Sequence, residues 1–248
     1  MPKIAFIGAG STVFARNVLG DCLLTESLRE SEFALFDIDP QRLKDSEMML
    51  NNLNNNTGGY GKIVAYTDRR AALKDADYVI CAIQVGGYEP STVIDFEVPK
   101  KYGLRQTIAD TLGIGGIFRA LRTLPVFQGI AQDMEEVCPD AWLLNYVNPM
   151  AILTGYMQRY TGVKTVGLCH SVQVCVPHLF HGLGMSTENV QWKIAGINHM
   201  AWLLEVTRNG EDLYPEIKRR ALARTEKHDD MVRYEMMKQF GYYVTESS

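Results

Sequence analysis

The sequence predicts an α/β chain: a doubly wound, largely parallel sheet followed by part of a smaller α+β domain. Three observations predict it. Short apolar runs alternate with amphipathic stretches through the first two thirds of the chain. A Gly-x-Gly turn, Gly8-Ala9-Gly10, lies between the first run and the first helix-like stretch. After residue 170 the alternation gives way to two extended runs and an Asn209-Gly210 turn.

The elements follow in order. Lys3-Ile4-Ala5-Phe6-Ile7-Gly8 reads as a buried strand bounded by glycine, and Thr12 to Leu24 has helical spacing at Val13, Val18, Leu19 and Leu23. Phe33-Ala34-Leu35-Phe36-Asp37 is a second strand, ended by Asp39-Pro40. Gln41 to Asn54 is helical through Leu43, Met48, Leu50 and Leu53, and Asn54 to Gly61 is a polar, glycine-rich loop. Ile63 to Tyr66 is a third strand, Arg69 to Lys74 a short helix and Tyr78 to Ile83 a fourth strand.

Gln84 to Gly116 interrupts this pattern with glycine and polar residues. It follows the carboxyl end of a strand, where open α/β sheets bind ligands. Ile117 to Val137 is a long amphipathic helix, Ala141 to Leu144 a strand, Pro149 to Tyr160 a helix and Lys164 to Leu168 a strand. Gln191 to Ile197 and Trp202 to Thr207 read as strands, and Glu216 to Lys238 as one charged helix. The expected domains are 1–170, binding a dinucleotide, and 171–248, the start of a substrate domain. The alternating strands and helices imply right-handed crossovers, a Rossmann-like sheet of the lactate/malate dehydrogenase type.

Bulk properties exclude several classes. The 248 residues carry 25 basic and 29 acidic side chains, a net −4, with no single-sign run, so nucleic acid and anionic membranes are not expected partners. No apolar stretch approaches the roughly 18–20 residues that span a bilayer. Met1-Pro2-Lys3 leads directly into a strand with no secretory pattern. The five cysteines, at 22, 81, 138, 169 and 175, are odd in number and scattered, as expected of reduced thiols in a cytoplasm, with Cys22 and Cys81 in the core.

Gly8, Gly10, Ser11 and Thr12 form a candidate cofactor loop. Glycine permits a tight turn and lets backbone N–H groups approach a pyrophosphate at a helix N-terminus. The position where a third glycine is expected holds Val13, so the motif is partial. Asp37, closing the second strand, offers a carboxylate to both adenosine ribose hydroxyls, which favours NAD over NADP. Gln84, at the end of the fourth strand, is a further expected cofactor contact. The bland alternative is a glycine turn beside a solvated aspartate.

Cys169 and His170 follow one strand and His199 follows another. A thiolate, an imidazole and substrate hydroxyls can complete the shell of a divalent ion. Spacing alone leaves open a core cysteine and structural histidines.

The motifs together resemble glycoside hydrolase family 4, the NAD- and manganese-dependent glycosidases, along essentially the whole chain. They are Gly8-Ala9-Gly10-Ser11, Asp110-Thr111-Leu112-Gly113-Ile114-Gly115-Gly116, Arg119-Ala120-Leu121-Arg122-Thr123, Asn145-Tyr146-Val147-Asn148-Pro149, Cys169-His170-Ser171-Val172 and Gly196-Ile197-Asn198-His199. Cys-His-Ser-Val is similar to the α-galactosidase (melibiase) group. The resemblance implies NAD and Mn2+ as cofactors and a small-molecule α-galactoside as substrate. It implies Cys169 and His199 as metal ligands, Asn148 on the sugar hydroxyls and His170 as proton donor to the leaving group. Asp110 and Arg119 would face the sugar, their alternatives being a helix-start carboxylate and a surface cation. For the tyrosine base, Tyr242 and Tyr243 are candidates, with Tyr243 preferred; the alternative for both is packing in the second core. The implied reaction oxidises sugar carbon 3, removes the carbon 2 proton, expels the aglycone and adds water with retention, one of the exceptions to two-carboxylate glycosidases.

Two departures from the family stand out. Ile114 replaces a common proline, and the chain is shorter than the family's members: it reads either as a piece of a longer protein, whose remainder would complete the substrate domain and much of a homo-oligomer contact (dimer or tetramer), or as a shortened form that binds NAD without activity. Two other readings compete. A 2-hydroxy-acid dehydrogenase shares Asn148-Pro149 but lacks a Gly-Glu-His-Gly segment and leaves Cys169 without a role. The other is a catalytically inactive NAD-binding module.

Overall fold

Six short apolar segments pair side by side in a parallel sheet: β1 (Lys3–Ile7), β2 (Glu32–Phe36), β3 (Lys62–Tyr66), β4 (Tyr78–Cys81), β5 (Trp142–Asn145) and β6 (Lys164–Gly167). Their order is β3-β2-β1-β4-β5-β6, the doubly wound order with its switch point between β1 and β4. The computed structural model of the chain describes residues 1–107 and 111–246.

Strand alternation explains the layers. Ile4 and Phe6 of β1 join Phe33 and Leu35 on one face, under α1 (Thr12–Leu24) and α2 (Pro40–Asn56). Ala5 and Ile7 join Val79, Cys81 and Leu143 on the other face, under α3 (Arg69–Leu73), α5 (Gly113–Val137) and α6 (Met150–Tyr160). Both faces are covered, which is why the strands read as continuous apolar runs. Asp39-Pro40, expected to end β2, also starts α2: Asp39 accepts from the Gln41 and Arg42 N–H groups, and Pro40 occupies the first helical position.

The interruption holds more structure than expected. A wide turn over Gly87–Thr92 leads into α4 (Val93–Lys100), and α5 begins at Gly113 rather than Ile117. The loop is tied down by Arg122, whose guanidinium donates to both oxygens of Asp95, at 3.1 and 2.6 Å, and to the Val85 carbonyl at 3.1 Å. Asp95 is 1% exposed.

The second region starts with α7 (Ser171–Gly182), which periodicity did not reveal. It packs Cys175, Val176, Leu179 and Phe180 into a separate core with Leu203, Val206, Tyr214, Ile217 and Tyr243. Strands β7 (Val190–Ile197), β8 (Met200–Arg208), β9 (Glu211–Asp212) and β10 (Tyr243–Val244) form the antiparallel sheet. A bulge interrupts the β7–β8 register: Lys193 faces Glu205 but Ile194 faces Leu203, leaving Leu204 as the extra residue. Asn209 and Gly210 both have positive φ, 51° and 85°, and turn β8 into β9 as expected. The predicted helix from Glu216 to Lys238 is two helices, α8 (Tyr214–Ala223) and α9 (Met231–Phe240), because Arg224 to Asp230 is polar and irregular.

All five cysteines are free thiols, and Cys81 is fully buried whereas Cys22 is only half-buried. Among the described residues, no helix is long and apolar enough to cross a membrane.

Candidate active site

The expected functional residues collect at the carboxyl ends of the parallel strands. Gly8 follows β1, Gln84 follows β4, Asn148 follows β5 and Cys169 follows β6. This is the edge where doubly wound sheets take ligands.

The loop after β1 is held by its own backbone. Gly8 and Ala9 N–H groups donate to the Phe36 carbonyl, and Ser11 N–H donates to the Gly8 carbonyl. Gly10 N–H donates to Asp37 Oδ2 at 2.7 Å, and Asp39 N–H donates to Asp37 Oδ1 at 2.9 Å. These loop N–H groups are therefore occupied. Donors for an anion come instead from the first turn of α1, where Ser11 makes no side-chain cap and Thr12 begins the helix. Both glycines are demanded by space. A Cβ on Gly8, whose φ is +92°, would lie 2.5 Å from the Ala82 carbonyl oxygen; one on Gly10 would lie 2.7 Å from Asp37 Oδ2. A carboxylate has about four lone-pair sites, so Asp37 keeps acceptor capacity for ribose hydroxyls beyond its two backbone bonds. Gln84 donates its side-chain amide to Thr92 Oγ1 at 3.0 Å.

The thiol and imidazole meet. His199 occupies the second position of the two-residue turn joining β7 to β8, in the left-handed region at φ 63°. Its Nε2 lies 3.4 Å from Cys169 Sγ, and its Nδ1 lies 3.1 Å from Thr111 Oγ1. Ser171 Oγ is 3.1 Å from Cys169 Sγ and donates to Glu246 Oε1. Burial alone raises a thiol, but hydrogen bonds from His199, Ser171 and Asn198 outweigh it and hold Cys169 down at about 6. The other buried thiols go the opposite way through desolvation: Cys81 is pushed up to about 12, and Cys138 and Cys175 to about 11. Asn198 Oδ1 is buried beside this pair with no hydrogen-bond partner among the described residues. An uncommitted oxygen, a thiolate and an imidazole form a donor set suited to a borderline divalent cation. Among the described residues, no third His, Cys, Asp or Glu joins Cys169 and His199 in a ligand group.

The remaining expected residues are placed as follows. His170 is exposed, immediately before α7. Asn148 is half-buried, next to a turn organised by Asn145, whose Oδ1 accepts from Val147 N–H and whose amide donates to Thr154 Oγ1. Arg119 is half-buried on the second turn of α5. Asp110 lies outside the described residues. Tyr243 requires a correction. It is 0% exposed, in the second core, with Tyr234 against its ring and the Arg233 guanidinium 5.1 Å from its centroid. Burial pushes its hydroxyl well above the usual tyrosine range, and that hydroxyl has no hydrogen-bond partner among the described residues. A ring sealed in this way packs the core rather than reaching a sugar; its neighbour Tyr242 is the exposed one. Sequence reading missed the roles of Thr111, Ser171 and Glu246. Thr111 and Ser171 lie inside quoted motifs, which was the available signal.

Comparison with known proteins places this geometry. A model described as family 4 glycosyl hydrolase matches residues 3–185, and one described as its C-terminal domain matches residues 194–248. An alpha-galactosidase of Bacillus subtilis (strain 168) is 68% identical over 249 residues, covering 100% of this chain and 58% of its own length. An alpha-galactosidase of Rhizobium meliloti (strain 1021) is 37% identical, covering 99% of this chain and 51% of its own. The 6-phospho-beta glucosidase of Thermotoga maritima, solved with manganese, NAD+ and glucose-6-phosphate, superposes with a TM-score of 0.83 at 25% identity, over 99% of this chain and 57% of that one. The chain thus spans between half and three fifths of the length of these relatives.

Proposed function

This chain belongs to the family 4 glycosyl hydrolases, and from that premise we propose that it serves the NAD- and manganese-dependent hydrolysis of α-galactosides. The observation that carries the reading is the 3.4 Å approach of Cys169 Sγ to His199 Nε2 at the ligand-binding edge of the sheet. The galactoside class is supported by the two alpha-galactosidases it resembles.

When bound, NAD supplies a hydride acceptor and Mn2+ a Lewis acid. The chain's own residues provide the setting. Gly8 and Gly10 let the loop pack tightly against Ala82 and Asp37, Ser11 and Thr12 open the helix that would face the dinucleotide's phosphates, Asp37 would accept from its ribose, and Gln84 would line the approach from β4. Cys169 and His199 would hold the metal through sulfur and nitrogen, and the metal would supply Lewis acidity to the sugar's oxygens. Asn148, Arg119 and Asp110 orient the sugar hydroxyls. His170, exposed beside Cys169, is placed to give a proton to the leaving oxygen. We assign the complete enzyme to the cytoplasm as a homo-oligomer.

The test is hydrolysis of nitrophenyl α-galactoside by the full-length protein, omitting NAD, Mn2+ and reductant in turn. Each omission should abolish turnover, and Cys169→Ser should do the same while leaving NAD affinity unchanged. Wild-type turnover by Cys169→Ser would overturn the metal assignment. Net NADH formation from malate or lactate, with no galactoside cleavage, would favour a dehydrogenase.

A further inference from the structure

Among the described residues, His199 faces Cys169 through one ring nitrogen and Thr111 through the other. Nε2 faces Cys169 Sγ at 3.4 Å and Nδ1 faces Thr111 Oγ1 at 3.1 Å. A neutral imidazole carries one N–H, so the two sides are coupled. If the proton sits on Nδ1, it is donated to Thr111 and the Nε2 lone pair is presented on the Cys169 side. If it sits on Nε2, it is donated to sulfur and no lone pair is available for a metal there. The Thr111 hydroxyl accommodates either state, accepting in the first and donating in the second.

Thr111 is itself fixed by its surroundings. Its residue is 6% exposed. Its carbonyl lies against Gly116 in the first turn of α5, where an added Cβ would come within 2.5 Å of the Thr111 oxygen. Gly116 N–H donates to the Leu112 carbonyl, folding the chain back at this point. Gly116 therefore lets helix α5 close onto the backbone of Thr111. His199 comes from the antiparallel sheet, so the Thr111–His199 contact also ties the two cores together at the site.

We propose that Thr111 is a positioning residue: when a metal displaces the proton that His199 Nε2 shares with Cys169, the Thr111 hydroxyl accepts the Nδ1 proton and so commits the Nε2 lone pair to the metal. This deepens the reading above and rests on it. Outer partners of metal-bound histidines typically contribute about 10–100-fold to metal affinity.

The experiment is titration of the metal-free full-length protein with Co2+, following the thiolate-to-cobalt charge-transfer absorption, for wild type, Cys169→Ser, Thr111→Val and Thr111→Ser. Wild type should develop the band and Cys169→Ser should lose it. Thr111→Val, which keeps the shape and removes the hydroxyl, should weaken Co2+ binding about 10–100-fold, and Thr111→Ser should restore it. NAD affinity and the thermal midpoint of Thr111→Val check that the fold survives. If Thr111→Val misfolds, a Thr111→Ser protein that binds Co2+ as tightly as wild type still supports the hydroxyl, and one weakened about tenfold or more overturns it. Wild-type affinity in a folded Thr111→Val overturns the role of Thr111 while leaving the metal site standing. Absence of a Cys169-dependent band in wild type overturns both.

Discussion

Cys169 Sγ and His199 Nε2 lie 3.4 Å apart although 30 positions separate them in the chain. One ends a parallel strand and the other caps an antiparallel hairpin, so the pair exists only when the two sheets are docked. Among the described residues, Thr111, Ser171, Asn198 and Glu246 surround it.

The cysteines should therefore differ sharply in reactivity. Only a thiolate is alkylated, and Cys169 is held at about 6 whereas Cys81, Cys138 and Cys175 are pushed to about 11 or above. In metal-free protein, iodoacetamide at pH 7 should label Cys169 first. Because the thiolate fraction grows with pH, the rate should climb through about pH 6 and then level off. Peptide mass spectrometry reads this out, and equal labelling of the buried cysteines would contradict it.

Gly8→Ala should destabilise the fold. Its φ of +92° alone implies a strain of about 1–3 kcal/mol, and the Cβ would press on the Ala82 carbonyl. Urea denaturation should show a lower midpoint, and NAD affinity should fall with it; an unchanged midpoint would refute the close packing of β1 on β4.

Arg122→Leu removes both guanidinium bonds from Asp95, which is 1% exposed, and strands its carboxylate. Breaking such a buried pair costs about 3–5 kcal/mol. Adding Asp95→Leu should recover much of the loss, since no buried charge then remains. A double variant no more stable than Arg122→Leu would argue against that cause.

Tyr243→Phe deletes a buried hydroxyl that has no hydrogen-bond partner among the described residues. Removing such a group is close to neutral or stabilising by about 1 kcal/mol, and galactoside turnover should persist. A hundredfold loss of turnover in a folded Tyr243→Phe protein would reinstate it as the base.

The parallel sheet was legible because its inner strands β1, β2 and β4 are buried on both faces, and continuous apolar runs such as Ile4 to Ile7 leave a plain signature. Helix α7 was not. Val172, Val174 and Val176 alternate like a strand, and Pro177 lies inside it; packing of Cys175, Leu179 and Phe180 into the second core overrides both signals. Cys169 and His199 were legible as chemistry-bearing residue types next to strand ends. Thr111 and Glu246 were not, because single polar side chains have no periodicity and their partners lie 88 and 75 positions away. Tyr243 was misread because a tyrosine beside an expected site looks the same in sequence whether its hydroxyl faces a cleft or a core.

The bulge at Leu204 divides the hairpin into two blocks with independent phase. Beyond it lie Ala201 to Leu203, the turn carrying His199, and β10, whose Tyr243 and Val244 pair with Leu203 and Trp202 and whose Thr245 bonds to Ala201. Glu246 follows directly. Side chains in a strand change faces at every step, so deleting Leu204 would rotate this whole tip by one step against the rest of the sheet. His199 and Glu246 would swing together away from Cys169. One exposed leucine, far from any chemistry, thus acts as the spacer that keeps both halves of the donor cluster in phase.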